Sequence, residues 1–459
     1  MKLLLPRNAV LGTYSTNGFC IRISDQVPLI DKKTERFLPN NLHDYAIFIH
    51  EFWHYVVNIS TFTGVKDFRI LQSLIPHFSD TLQTHANGIV DSRVLNTDAC
   101  GFLTATMILY SEILGQQDCE NISNYINDFN ILNYHTEDIK VNLENKEAPC
   151  TKINLEISID TVGGTINSSF EFGTYAMDEG LAYEIQSMID KNAQVPLIPY
   201  HVLRKLSEFI IGHEISKYEL CGITTLALLT VNAPKALIKM LEEYNDISKQ
   251  IPNPINRLEM LWQSFVLPQS NDAIKAVEND LSEWLNLYKD RGLLEKAIEF
   301  LGNKYIENLK RREKEPLFDL EAFKENTCDL DKLHNLVNDV IPCDIIQEYP
   351  GDDMQIGKDR LYSFGVNLYQ KESQYKPTDF LRTLECQLHY LCSHLTNNGF
   401  VDSNQINAEK CPFYTICELP GRTTNPTICE ENPWLAQHGN NKTCWYGSAV
   451  NATIGTVKI

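Results

Sequence analysis

The stretch Leu42-His-Asp-Tyr-Ala-Ile-Phe-Ile-His-Glu-Phe-Trp-His-Tyr-Val-Val-Asn-Ile-Ser60 predicts a single α-helix. Apolar residues recur in it at helical spacing, no Pro or Gly interrupts it, and Asn40 and Asn41 are suitable N-cap residues. Residues four apart share one face of a helix, so His50 and His54 should lie side by side. On a nearly all-apolar helix, this indicates a buried and pre-organised pair.

The five residues from His50 to His54 have the pattern His-Glu-x-x-His. Two imidazoles on one helix face can hold one zinc ion, and Glu51 can reach a water on that metal and accept its proton. The pattern therefore predicts a hydrolytic zinc site. The alternative is a pair of core histidines satisfied by backbone carbonyls.

A catalytic zinc site uses three protein ligands, and Glu179 is the best candidate for the third. It lies in Asp178-Glu-Gly-Leu-Ala182, from where apolar residues recur at helical spacing. We expect a helix that begins near Asp178, with Glu179 close to its start. Glu171 and Glu184 are rival ligands, and an ordinary solvated carboxylate is the alternative for Glu179.

These two segments together resemble the gluzincin metallopeptidases, which include thermolysin and the aminopeptidase N family. The aminopeptidase motif Asn-Glu-Gly-Phe-Ala is matched at 178–182 with Asp for Asn and Leu for Phe. The resemblance implies His50, His54 and Glu179 as zinc ligands and Glu51 as general base. The segment between His54 and Glu179 is longer than in the best-known gluzincins, and a Gly-x-Met-Glu-Asn signature is absent. That absence favours cleavage within chains over trimming of ends.

The attacked carbonyl also needs a hydrogen-bond donor for its developing negative charge. The resemblance to thermolysin implies His213, which lies downstream of the third ligand, with Tyr175 and Tyr183 as other donors nearby. His43, two turns before His50, either lines the pocket or caps the helix.

Composition excludes some partners and favours a compartment. The formal net charge of −20 makes nucleic acid a poor partner, because a phosphate backbone requires a basic surface. No targeting segment or membrane-spanning stretch is predicted. Thirteen cysteines, an odd number, fit a reducing compartment, so we expect a cytoplasmic protein.

Four regions follow from the patterns along the chain. We predict a β-rich segment over 1–40, with a hairpin around Thr16-Asn-Gly18, and a zincin-like catalytic region over 41–250 that contains a second hairpin at 153–172. A helical region over 251–400 and a Cys-rich region over 401–459 follow. The predicted fold class is α+β: a mainly helical, zincin-like metallopeptidase core with a small N-terminal β-sheet and hairpins. An edge strand of this sheet, or the 153–172 hairpin, could pair with a substrate backbone.

The C-terminal region contains a possible second metal site formed by Cys411, Cys417, Cys429 and Cys444. Four thiols in a loop-rich segment with little core of its own could bind zinc or an iron–sulfur cluster. Unliganded thiols are the alternative. Cys386 and Cys392 are interpreted as core residues.

The function expected from these patterns is a cytoplasmic zinc endopeptidase that acts on a protein or peptide, with a narrow substrate range or a gated cleft. The alternative is an interaction or sensor protein with a structural zinc site. Such a site would be closed by a fourth protein ligand, for example His43 or His213.

Overall fold

The helix predicted from the opening stretch is present in the computed structural model, where α1 spans Leu42–Ser60. The side chain of its N-cap residue, Asn41, accepts a hydrogen bond from the backbone N–H of Asp44 at 2.9 Å. Every residue of α1 other than Leu42, His43 and His54 is buried. A helix that is apolar on nearly all sides must be covered on all sides, and the rest of the fold does this.

The structure describes residues 11–16, 19–31, 36–37, 41–72, 89–91, 109, 111–117, 126–143, 146–324, 327–340, 344–349, 360–364, 383–384, 386–387, 389–390, 400–402, 411, 424–431, 435, 437–438 and 442–454. Residues 62–72 are helical. The helices after them are α2 (Thr174–Ile189), α3 (Val202–Ile211), α4 (Lys217–Leu228), α5 (Ala233–Gln250), α6 (Pro254–Leu261), α7 (Leu267–Leu287), α8 (Leu293–Lys314), α9 (Leu330–Asp339), α10 (Pro426–Glu431) and α11 (Trp445–Ile454). Within these described residues, no helix combines the length and the apolar character needed to cross a membrane.

The strands form small sheets. They are β1 (Gly12–Ser15), β2 (Cys20–Ile23), β3 (Ile30–Asp31), β4 (Arg36–Phe37), β5 (Ile89–Asp91), β6 (Ile126–Leu143), β7 (Lys146–Thr161), β8 (Gly164–Phe172), β9 (Asp344–Tyr349), β10 (Arg360–Phe364), β11 (Phe400–Asp402), β12 (Gln437–His438) and β13 (Lys442–Thr443). The largest sheet has the order β1-β2-β9-β10, with β2 and β9 parallel and the other pairs antiparallel. A second sheet, β6-β7-β8, is antiparallel throughout. The class is therefore α+β and mostly helical, as predicted.

Both predicted hairpins are confirmed. The first is β1–β2, with Gly12 opposite Ile23, although its turn residues Asn17 and Gly18 lie outside the described residues. The second is β7–β8, and β6 pairs along almost the whole length of β7, an addition that was not predicted.

The predicted start of the second site helix was wrong, because α2 begins at Thr174 rather than near Asp178. The chain passes directly from β8 through Gly173 into α2, and Ala176 and Met177 are already buried. Glu179 therefore lies in the second turn of a helix whose start is packed, and not at a frayed helix end. This placement makes its backbone rigid.

One continuous hydrophobic core joins the first three of the four predicted regions. It includes Ile21 and Ile23 of β2, the apolar side chains of α1, and Ile345 of β9. The predicted helical region over 251–400 also supplies β9 and β10, which complete the sheet begun by β1 and β2. The boundaries at 40 and 250 therefore do not separate independent cores.

The C-terminal end of α1 is held by a buried ion pair between Arg312 of α8 and Asp319, which follows α8. Arg312, only 2% exposed, makes two hydrogen bonds of 2.7 Å to the carboxylate of Asp319. Its Nη2 also donates to Ser60 Oγ at 2.8 Å. The guanidinium thus links the last residue of α1 to the segment after α8.

We predict that Asp319→Ala lowers the free energy of unfolding by about 3–5 kcal/mol, because it leaves the buried charge of Arg312 without a partner. The matched control is Glu278→Ala, which removes the exposed ion pair with Lys310 and should cost less than about 1 kcal/mol. Urea unfolding measures both variants. Equal losses in the two would show that Arg312 is not anchored as described.

Candidate metal centre

The antiparallel packing of α1 against α2 builds the site. Near one end, His54 Nδ1 lies 2.8 Å from Asp178 Oδ2. Towards the other end, His43 Nδ1 lies 2.7 Å from Asp190 Oδ2, at the C-cap of α2. These two contacts place the second turn of α2 beside the histidine face of α1. On another side of α2, Gly180 allows a close approach to α3, since a Cβ at position 180 would be 2.6 Å from the Leu203 Cβ.

Three ligand atoms converge at this point: His50 Nε2, His54 Nε2 and Glu179 Oε2. The two Nε2 atoms are 3.3 Å apart, and Glu179 Oε2 lies 3.4 Å from His50 Nε2 and 3.6 Å from His54 Nε2. Zinc bonds to nitrogen and oxygen of about 2.0–2.2 Å place tetrahedral ligands about 3.3–3.6 Å apart. The three residues, called the metal centre below, therefore have the spacing that a tetrahedral zinc ion requires.

A carboxylate behind one ligand orients it. Asp178 accepts the hydrogen bond from His54 Nδ1, which leaves the lone pair of Nε2 directed at the centre. His50 has no such support among the described residues, because its buried Nδ1 has no hydrogen-bond partner. The two histidines are therefore unequal, and Asp178 has a role that the sequence analysis did not assign to it.

The electrostatics of the centre favour a cation. Burial by itself lowers the pKa of His54, but the carboxylates of Asp178 and Glu179 outweigh burial and hold that pKa well above its usual value. Burial by itself raises the pKa of Glu179, yet His54 and His50 bring it below its usual value. The same negative charge that retains a proton on His54 would attract a divalent metal ion.

Glu51 lies on α1 between His50 and His54 and is 8% exposed. Burial raises its pKa above the usual value, although His50 and His54 act in the opposite direction. Strand β1 passes directly over this side chain: an ideal Cβ built on Gly12 would lie 2.7 Å from Glu51 Cγ and 2.8 Å from Glu51 Oε1. Only glycine allows the strand and the carboxylate to be this close.

The remaining candidates occupy different positions. His213 is exposed after α3, and its Nδ1 lies 2.8 Å from the carbonyl oxygen of Glu214. His43 is 53% exposed and pairs with Asp190, about 10 Å along α1 from His50. The ring of Tyr200, which the sequence analysis did not consider, lies 5.7 Å from the ring of His50. Local sequence patterns contain no signal for Tyr200, because it comes from the loop between α2 and α3.

The predicted four-cysteine site is only partly described. Cys417 lies outside the described residues, whereas Cys411, Cys429 and Cys444 lie within them and form no disulfide bond. Cys444 Sγ accepts a hydrogen bond from the N–H of Gly447 at 3.3 Å. Among the described residues, the metal centre is the one place where three or more His, Cys, Asp or Glu side chains lie close enough together to hold a metal ion. The second site stays a prediction.

Comparisons of this chain with protein-family models, curated proteins and solved structures gave no match. The geometry of the metal centre is therefore the basis for the function proposed below.

We predict that Asp178→Asn weakens zinc binding about 10–100-fold, because His54 loses the carboxylate that orients it and increases its basicity. Asp190→Asn is the matched control, since Asp190 bonds a histidine of α1 in the same way but outside the metal centre. Zinc titration against a competing chelator measures both variants. Similar affinities in the two would contradict the role of Asp178.

Proposed function

We propose that the protein is a zinc-dependent metallopeptidase with a zincin-like core and endopeptidase activity. The observation that carries the proposal is the convergence of His50, His54 and Glu179 at zinc-ligand spacing, with Glu51 next to them. Two helices from distant parts of the chain supply these ligands, so chance similarity of a five-residue pattern is a weak explanation. The gluzincin resemblance of the same segments agrees with this arrangement.

The metal and the glutamate would divide the chemistry between them. A zinc ion held by His50, His54 and Glu179 would act as a Lewis acid and stabilise negative charge on the attacked carbonyl group. Glu51 accepts the proton of the attacking water and returns it to the leaving amine. Its burial beneath β1 limits the positions that its carboxylate can adopt, which favours this proton transfer.

Two observations favour a catalytic site over a structural one. His43, a candidate fourth ligand, pairs with Asp190 away from the metal centre, and His213 lies beside a backbone carbonyl on an exposed turn. Neither is arranged to close the coordination of a zinc ion. An open position beside three ligands is what separates catalytic zinc sites from structural ones.

Strand β1 is the element best placed to bind an extended peptide. Among the described strands, β1 is the edge strand of its sheet, next to β2. The same strand contacts Glu51 through Gly12. A peptide paired with that edge would run close to Glu51, and pairing through the backbone suits cleavage within a chain.

Tyr200 is a better candidate than His213 for the donor to the developing oxyanion. Its ring lies next to a zinc ligand, whereas His213 bonds to its neighbour's carbonyl group. The role that the resemblance implies for His213 stays a prediction.

The compartment we propose is the cytoplasm. None of the eight described cysteines forms a disulfide bond, which agrees with a reducing environment.

We predict that Glu51→Gln abolishes peptide cleavage while zinc binding stays stoichiometric, because the amide cannot accept the proton of water. Glu179→Gln should instead lose zinc and activity together. A peptide library from a cell digest, read by mass spectrometry, gives the cleavage sites, and elemental analysis gives the metal content. Undiminished cleavage by Glu51→Gln would end the assignment of Glu51 as general base.

We also predict that Gly12→Ala lowers the cleavage rate about tenfold or more, because the new Cβ displaces either β1 or the Glu51 carboxylate. Zinc content should be unchanged, since the three atoms nearest to the new Cβ all belong to Glu51 and none to a metal ligand. The control is Gly163→Ala in the β7–β8 turn, where the nearest heavy atom to the new Cβ is 3.7 Å away. Full activity in Gly12→Ala would show that β1 does not constrain Glu51.

A further inference from the structure

A surface cavity of about 540 Å³ lies between the C-terminal end of α2 and helices α3 and α4. Its walls include Ser187 and Met188 at the end of α2, Lys191 just after that helix, Arg204 from α3, and Ile215 and Lys217 around the start of α4. Volumes of this size are typical of small-molecule sites. The cavity begins about 12 Å along α2 from Glu179, so it is separate from the metal centre.

The lining contains three cationic side chains and no carboxylate, in a chain with a net charge of −20. The charge of Arg204 is already compensated: Nε and Nη2 bond the buried carboxylate of Glu184 at 2.6 and 2.7 Å, and Nη1 bonds Glu208 at 3.1 Å. Among the described residues, Lys191 and Lys217 have no such ion pair with a carboxylate. Glu219, which accepts a hydrogen bond from Ser216 Oγ at 2.7 Å, is itself paired with Arg257. Against Glu184 and Glu208, the three cations of the lining leave a net positive charge.

The ammonium group of Lys217 is held by neutral atoms. It donates to Ser187 Oγ at 2.7 Å and to the Ser187 carbonyl oxygen at 3.2 Å, which leaves one N–H for a further acceptor. Burial lowers the pKa of Lys217, Glu184 opposes this effect, and Arg204 and Lys191 add to it. A half-buried cation next to two other cations is a natural partner for an anion.

The remaining walls add to this preference. Ser216, also in the lining, is the N-cap of the twelve-residue helix α4, so the positive end of that helix borders the cavity. Lys191 is exposed at the end of α2, where its ammonium can move to meet a ligand. Met188 and Ile215 provide an apolar surface, and the volume is far larger than a bare inorganic anion needs.

We propose that this cavity binds a small organic anion, a phosphate or carboxylate group on an apolar body, with Lys217 and Lys191 contacting the anionic group. This site is additional to the proposed peptidase function and does not depend on it.

Calorimetric titration of the full-length, zinc-loaded protein at low ionic strength tests the proposal. The probes are phenyl phosphate, benzoate and uncharged benzyl alcohol. We expect saturable binding of at least one of the two anions and none of benzyl alcohol. Binding of phenyl phosphate alone assigns the phosphate chemistry, and binding of benzoate alone assigns the carboxylate chemistry.

Variants locate the bound anion. Lys217→Met and Lys191→Met should each weaken binding about tenfold or more, whereas Lys249→Met, at an exposed lysine of α5 paired with Asp246, should leave it unchanged. Lys191 is exposed, so its replacement cannot disturb the core. Unchanged affinity in both cavity variants would place the anion elsewhere, for example on the metal, and would overturn the proposal. Absence of any saturable binding would overturn it as well.

Discussion

The antiparallel contact between α1 and α2 is the constraint on which the metal centre depends. Each helix alone presents an incomplete ligand set: two imidazoles on α1 and one carboxylate on α2. Packing places the three ligand atoms 3.3–3.6 Å apart and at the same time brings Asp178 to the back of His54. The carboxylates of Glu51, Asp178 and Glu179 would repel one another in this buried site, and a divalent cation would relieve that repulsion.

The surroundings of α1 keep this arrangement fixed. On one side, β1 lies against Glu51 with no room for a side chain at Gly12. At the C-terminal end, the ion pair of Arg312 and Asp319 holds Ser60. Because these contacts reach α1 from distant parts of the chain, the site is rigid only when the whole core is assembled. Such support is what a catalytic group needs to stay within a fraction of an ångström of its working position.

The elements with strong local periodicity could be predicted from the sequence, and the contacts between them could not. Helix α1 and both hairpins follow from patterns that operate over a few residues. The pairing of β2 with β9 joins residues more than three hundred positions apart, and nothing local marks it. The start of α2 was misplaced because the apolar residues recur at helical spacing only from Asp178 onward, whereas the helix already begins at Thr174, directly after β8 and Gly173.

The candidate site shows the same division. The four-residue separation on one helix was enough to select His50 and His54, and the segment 178–182 suggested Glu179; the fold brings these three residues together. The roles assigned to Asp178, Gly12 and Tyr200 depend on which surfaces meet, and only the fold reveals that. The cavity at the end of α2 is a further example, since its cations come from three segments.

Anomalous diffraction at the zinc edge, on crystals of the full chain grown with zinc, tests the central claim most directly. We predict a peak about 2.0–2.2 Å from His50 Nε2, His54 Nε2 and Glu179 Oε2, with no fourth protein ligand. A zinc ion at this position closed by a fourth side chain would contradict a catalytic role. A crystal with no zinc between α1 and α2 would contradict the metal centre itself.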